Sequence, residues 1–314
     1  INKEETIVLI PLGALEQHGN QAPLGTDDII AQAMTEYLTR ALEAEDPDFP
    51  MLIFPVIPVG LSTEHKNFCG SITLKPDTYY HLLYDICASL AHHGFKKLAL
   101  LICHGGNAPI AQVLSRELRS ELGSFPPFLL TSGAFGHPDV KATVSEGNIW
   151  DFHGGEMETS MVMAVDPSLV KLETSEAGIP AAFKDNQALQ PYGPVSIGWV
   201  SEDWKTEDGR PIGIGGNPSG ATAEKGRIIL KTSADALVPG LFGNQEMERV
   251  IYHIINIQND CWMIKMISPQ SFYIRVCLKI AFRQLCVPLC RRFGPNEGGI
   301  AGMNFQTRFS LPIF

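Results

Sequence analysis

Three short segments of this chain carry carboxylates and imidazoles at spacings that suit a divalent metal ion. Glu16-Gln17-His18-Gly19 is followed by Pro23-Leu24-Gly25-Thr26-Asp27. Glu16 and His18 stand two apart, so in extended backbone they face one way, and Asp27 returns after a loop containing Gly and Pro. Cys103-His104-Gly105-Gly106-Asn107 sets an imidazole in a sharp turn. Asp151-Phe152-His153-Gly154-Gly155-Glu156-Met157-Glu158-Thr159-Ser160 places His153 before a glycine turn, with Glu156 and Glu158 in the first turn of a helix. Carboxylates mixed with imidazoles, without thiolate, suit Zn²⁺, Mn²⁺ or Fe²⁺ in a hydrolytic site rather than structural zinc. One carboxylate can bridge two ions about 3.5–4 Å apart, and such a pair can hold a hydroxide and polarise a carbonyl. The His104–Asn107 turn taken alone could equally start a phosphate-cradling helix. Three such clusters in one chain point to a shared metal site.

Each cluster follows an expected strand. Thr6 to Leu12 is a short β-rich apolar run ending at Gly13, and Met51 to Val59 is a second one. Ser71 to Leu74 reads as a short third strand, Lys97 to Cys103 as a strand covered on both faces, and Phe128 to Thr131 as another. Between them, helical spacing predicts a helix from Asp27 or Asp28 to about Glu45 and another from Pro76 that Gly94 closes. A third is capped by Asn107 and stops at Gly123. Glu156 to Val165 and Ala221 to about Asp235 are further helices. Strand alternating with helix indicates a parallel sheet with helices on both sides, whose strand C-terminal ends form the ligand edge. Gln187 to Gly220, rich in Gly, Pro and Trp, suggests an ordered lid or subunit-contact loop.

The 314 residues are 45 % hydrophobic and 18 % charged, ordinary globular values, with a formal net charge of −10. That acidity argues against nucleic acid, since phosphate binding needs clustered Lys and Arg. No apolar run reaches the roughly 18–20 residues of a membrane helix, so no membrane partner is expected and the ligand is a small molecule. Seven cysteines without paired spacing suit a reducing cytoplasm, with Cys69, Cys87 and Cys103 as buried thiols. A chain opening at Ile1 rather than Met is expected to lack its natural start. Residues 1–262 read as one domain. Residues 263–314 read as an atypical basic tail set apart from the native domain: from 265 on, seven Lys or Arg face one acid, Glu297.

Taken together, the motifs resemble the creatininase (creatinine amidohydrolase) family. Its opening pattern Glu-x-His-Gly-x-x-x-Pro-x-Gly-Thr-Asp is met by Glu16, His18, Gly19, Pro23, Gly25, Thr26 and Asp27. Glu64 to Leu74 resembles its next stretch, His104 to Asn107 its His-Gly-Gly-Asn turn, and His153 to Ser160 its His-x-Gly-Glu-x-Glu-Thr-Ser signature. Asn217-Pro218 through Gly226 resembles its C-terminal loop and helix, so the likeness runs in order over roughly residues 5 to 260. The resemblance implies a three-layer α/β/α fold with a mostly parallel sheet, a homo-oligomer, and a binuclear metal centre. Carried over by position, Glu16 and His104 bind one ion, His18 the other, and Asp27 bridges them. His153 and Glu158 match the family's acid/base pair.

Two positions depart from creatininase itself. It has Glu two residues after the second-segment His, where this chain has Gly106, and an apolar residue where this chain has Glu156. The exchange suggests Glu156 as the replacement ligand for the second ion. The expected reaction is metal-dependent hydrolysis of a C–N bond in a small cyclic amide, formamide or related amide. A metal-bridging hydroxide attacks, and His153, assisted by Glu158, protonates the leaving nitrogen. Trp199 and Trp204 are candidates either to cover the substrate or to pack within the loop or a subunit interface. The rival readings are a non-catalytic phosphate-binding α/β module and an inactive family member serving as an assembly subunit.

Overall fold

The structure, a computed structural model, describes residues 1–122, 128–132, 136–181, 183–186, 188 and 195–243. The expected boundary near 262, the basic tail and part of the 187–220 loop lie outside the described residues. Strand β1 (Ile7–Leu12) lies at the centre, between β2 (Met51–Ile53) and β3 (Lys97–Ile102), with β4 (Phe128–Thr131) beyond β3. All three pairings are parallel, with Ile7 opposite both Met51 and Lys97, and Ala99 opposite Phe128.

Alternation along the two central strands builds the layers. Ile7 and Leu9 of β1 join Ala99 and Leu101 of β3 on one face, under helices α1 (Thr26–Glu45) and α5 (Glu156–Val165). Val8, Ile10 and Leu12 join Leu98, Leu100 and Ile102 on the other, under α2 (Pro76–His92) and α3 (Ala108–Leu122). A sheet apolar on both faces must be covered on both, which is why neither strand alternates apolar with polar residues; Lys97, at the first position of β3, is ion-paired with Glu5. Helices α1, α2 and α5 begin within two residues of their expected starts. A one-turn helix α4 (Pro138–Lys141) and a two-stranded antiparallel pair, β5 (Ile179–Pro180) with β6 (Trp204–Lys205), complete the named elements before the last helix. That helix, α6, spans 223–243 and runs past its expected end.

Three expectations are corrected. Pro55 and Pro58 interrupt the second run, so β2 stops at Ile53 and only Ile57 rejoins the sheet, by a bridge to Leu12. Ser71 to Leu74 is not a strand of this sheet: Ile72 makes a single antiparallel bridge to Leu15. Cys69 is exposed, whereas Cys87 and Cys103 are buried with thiols pushed up to about 12 by that burial. Among the described residues no helix is long and apolar enough to cross a membrane.

The second layer closes through Gly226. A Cβ there would stand 1.9 Å from the Ser160 carbonyl oxygen and 2.9 Å from Ala164 Cβ, so α6 meets α5 only because position 226 has no side chain. Gly226→Ala is therefore expected to destabilise the protein by about 1–3 kcal/mol, read as a lower urea midpoint; an unchanged midpoint would contradict this packing.

Candidate metal centre

Every residue of the site leaves the sheet from its C-terminal edge. Glu16, Gln17 and His18 follow β1, and Asp27 stands in the first turn of α1, where its charge also suits the helix dipole. His65 ends a short turn (Thr63–His65) after β2, and His104 follows β3 directly. His153 is held by a bridge to Gly215, and Glu158 is in the first turn of α5. Asp151 anchors that turn, accepting from the Glu156 and Met157 amides at 2.7 and 3.0 Å.

These groups converge on Glu16. Its Oε1 lies 3.2 Å from His104 Nδ1, 3.5 Å from His65 Nε2, 3.6 Å from His153 Nδ1 and 3.9 Å from His18 Nε2. Asp27 reaches both sides, with Oδ2 at 3.6 Å from His104 Nδ1 and Oδ1 at 3.7 Å from His18 Nε2. Glu158 Oε2 is 3.6 Å from His18 Nε2 and accepts from the Gly154 amide at 2.6 Å. The structure thus brings Glu16, His18, Asp27, His104 and Glu158 together, with His153 beside them.

Glu156 is not. It is buried, but its oxygens accept from the Ser145 amide and hydroxyl at 3.0 and 2.8 Å and from Asn148 Nδ2 at 2.9 Å, and it is ion-paired with Lys225. Its lone pairs are spent fastening the 145–148 loop and α6 to the start of α5. Position 106 itself has no room for a side chain here. A Cβ on Gly106 would lie 2.2 Å from the Leu61 carbonyl oxygen and 2.5 Å from His104 Nε2. That closeness is what allows His104 Nε2 to donate to Leu61, so a larger residue at 106 would displace the ligand it adjoins.

Other expectations are refined. Asn107 stands just before α3, but its side chain accepts from the Leu61 amide at 3.0 Å and donates to the Gly13 carbonyl at 2.9 Å, tying three strand-end loops together. Trp204 is 2 % exposed and packs on Phe152 at 4.7 Å, so it is core rather than cover. Trp199 sets an edge against His65 at 5.7 Å. His65 is the site residue that reading by motif missed; its place beside Glu64 in the family-like second segment was the available signal.

The electrostatics ask for cations. Both oxygens of Glu16, Asp27 Oδ2 and His18 Nε2 are buried without a hydrogen-bond partner, which is costly unless something binds them. Burial works against the Glu16 charge, but His104 overrides it and holds that carboxyl well below its usual range. Burial and the neighbouring Glu16 charge push Asp27 up, and burial raises Glu158. Burial lowers His104, but Glu16 and Asp27 prevail and take it up to about 10, so a proton stands where a cation belongs. Burial holds His153 down to about 4. The groups that could hold an ion are Glu16-Asp27-His104, His18-His153-Glu158 and Glu16-His65-His153, each with its ligand atoms within 4.8 Å of one another. A carboxylate and imidazole set of this kind fits Zn²⁺ or Mn²⁺.

Two outcomes follow. Because His104 is protonated throughout pH 6–8, ion uptake there must expel its proton, and affinity should rise about tenfold per pH unit; a flat isothermal titration series would contradict this. Glu158→Gln should lose one bound ion, whereas Glu156→Gln should keep its full complement and lower only stability. Elemental analysis of the purified variants reads the difference, and loss of an ion from Glu156→Gln would restore Glu156 as a ligand.

Comparison with known proteins agrees with this geometry. The family model described as creatinine amidohydrolase matches residues 1–240. Residues 278–302 match a second family, DUF6783, of unknown function, and lie outside the described residues. A mycofactocin precursor peptide peptidase of Mycobacterium tuberculosis (strain CDC 1551 / Oshkosh) is 31% identical over 234 residues, 74% of this chain and 82% of its own. A creatinine amidohydrolase of Pseudomonas putida is 28% identical, over 57% of this chain and 72% of its own. The solved structure of a manganese creatininase superposes with a TM-score of 0.58 at 24% identity, covering 76% of this chain and 90% of that one. The chain belongs to the creatininase family of hydrolases.

Proposed function

We propose that this chain is a two-metal amide hydrolase, with Glu16, Asp27 and His104 holding one ion and His18, Asp27 and Glu158 the other. The observation that carries the reading is the convergence of buried, unpartnered oxygens and ring nitrogens on one point. Asp27 offers one oxygen to each side, as a bridging carboxylate must. Glu158, rather than Glu156, takes the place of the carboxylate missing at Gly106. A manganese creatininase and a creatininase mutant of Zn–Zn type have this fold, which supports Mn²⁺ or Zn²⁺ as the occupants. When bound, such ions acidify water and polarise a carbonyl.

The chain's own groups supply proton transfer and enclosure. His153 Nε2 is 2.8 Å from the Gln17 carbonyl, so its hydrogen is there and Nδ1 carries a lone pair toward the centre. His153 therefore takes a proton at Nδ1 from the attacking water and returns it from Nδ1 to the leaving nitrogen. The Gly154 amide orients Glu158, and Asp151 holds the start of the helix that carries it.

A cavity of about 810 Å³ borders the site, with His104 and Glu158 in its wall alongside Ile30, Ile149, Phe152 and Met161. Such a volume suits a ligand well above the size of creatinine. It favours an amide with an apolar flank, and a short peptide, as in the peptidase relatives, is the second reading it supports. Stripping the protein with EDTA and restoring Mn²⁺ or Zn²⁺ should abolish and then recover hydrolysis across a panel of creatinine, N-formyl amides and short apolar peptides. The peptides and larger amides should turn over faster than creatinine. Equal rates with and without chelator would sink the metal reading.

A further inference from the structure

The four imidazoles around Glu16 are not alike, and the backbone decides which is which. His18 Nδ1 is 3.2 Å from the Glu16 carbonyl, His104 Nε2 is 2.5 Å from that of Leu61, and His153 Nε2 is 2.8 Å from that of Gln17. A carbonyl only accepts, so each of these nitrogens bears a hydrogen and the opposite ring nitrogen faces inward, with its lone pair free at His18 and His153 and protonated at His104 until an ion takes the proton's place.

His65 is reversed. The Gln17 amide has its orientation set by main chain: Oε1 accepts from the Gly19 amide at 3.0 Å, and Nε2 donates to the Gly213 carbonyl. One hydrogen of Nε2 goes to Gly213. Of the two ring nitrogens within reach of the other, His153 Nε2 at 3.3 Å already bears a hydrogen, which leaves His65 Nδ1 at 3.2 Å as the acceptor. Ser201 Oγ meets the same Nδ1. A ring whose Nδ1 accepts carries its hydrogen on Nε2, and that atom faces Glu16 Oε1 at 3.5 Å. The ring is also clamped, stacked on His153 at 4.0 Å and met edge-on by Trp199.

We infer that His65 is a positioning residue rather than a metal ligand: set by Gln17 and Ser201, it turns Nε2–H toward Glu16 and closes the Glu16-His65-His153 group to a third cation. The inference rests on the two-ion reading above and deepens it, since Gln17 then sorts the imidazoles into ligands and a strut. An outer partner of this kind fixes the orientation of a ligating carboxylate, and losing one typically costs 10–100-fold in metal affinity.

The test needs no substrate. Metal-free wild type, H65Q and H65L are titrated with Mn²⁺ against a competing chelator, and histidine ring ¹⁵N shifts are recorded on metal-free wild type. Two ions per chain are expected in all three proteins, with affinity about 10–100-fold weaker in H65L. H65Q, whose amide N–H can stand in for Nε2–H, should recover most of that loss, and His65 should show the Nε2–H tautomer. Loss of an ion in H65Q, a third ion in wild type, an Nδ1–H tautomer, or unchanged affinity in H65L would each overturn the proposal. If H65L does not fold, H65Q and the wild-type ring shifts decide. A wild type that takes up no Mn²⁺ overturns the two-ion reading instead, while the ring shifts still judge His65.

Discussion

Three carboxylates, Glu16, Asp27 and Glu158, crowd around His18 and His104 in the protein interior, and the rest of the structure exists to hold them there. Like charges brought this close repel, and Glu16 and Asp27 are shut away from solvent while Glu158 keeps 18 % of its side chain exposed. The protein neither separates them nor neutralises them with Lys or Arg. It surrounds them with three imidazoles, His18, His104 and His153, that donate outward to backbone carbonyls. Cations are the remaining way to satisfy the inward-facing lone pairs, and binding them couples metal affinity to the integrity of the fold.

The architecture makes this arrangement affordable by placing it on rigid parts. Parallel strands β1 and β3 are buried on both faces and end side by side, so the loops after Leu12 and Ile102 start from fixed points. Asn107 then laces the β1 and β3 loops to the segment after β2. Opposite, Asp151 caps α5 and the Glu156–Lys225 pair fastens the same turn to α6, so Glu158 is presented from a braced helix start. The edge that carries the site is a set of short turns tied from several directions.

Much of this was legible in the residues. The apolar runs around Ile7 and Leu98 announced buried parallel strands, and Glu16, His18 and His104 were readable as candidate ligands because they followed such runs, with Asp27 returning a loop later. What the sequence could not distinguish was Glu156 from Glu158. Both sit in the first turn of one helix, two residues apart, so they leave it on different sides, and which side faces the ions depends on where Lys225 and Ser145 arrive from far along the chain. His65 was hidden for a related reason: its role is set by Gln17 and Ser201, the latter 136 residues away. Motif spacing reports what a segment can offer, while the assignment of roles among neighbours is a tertiary outcome. Trp204 shows the same limit, since an aromatic in a Gly-rich loop reads equally as cover or as packing until its contact with Phe152 is seen.

The most direct test of the account is an anomalous difference map from a crystal of the protein soaked in Mn²⁺, collected near the manganese edge. Two peaks about 3.5–4 Å apart, sharing Asp27 and divided between the Glu16–His104 and His18–Glu158 sides, are predicted. A single peak, or ions lying at Glu156 with the Glu16 cluster bare, would contradict it.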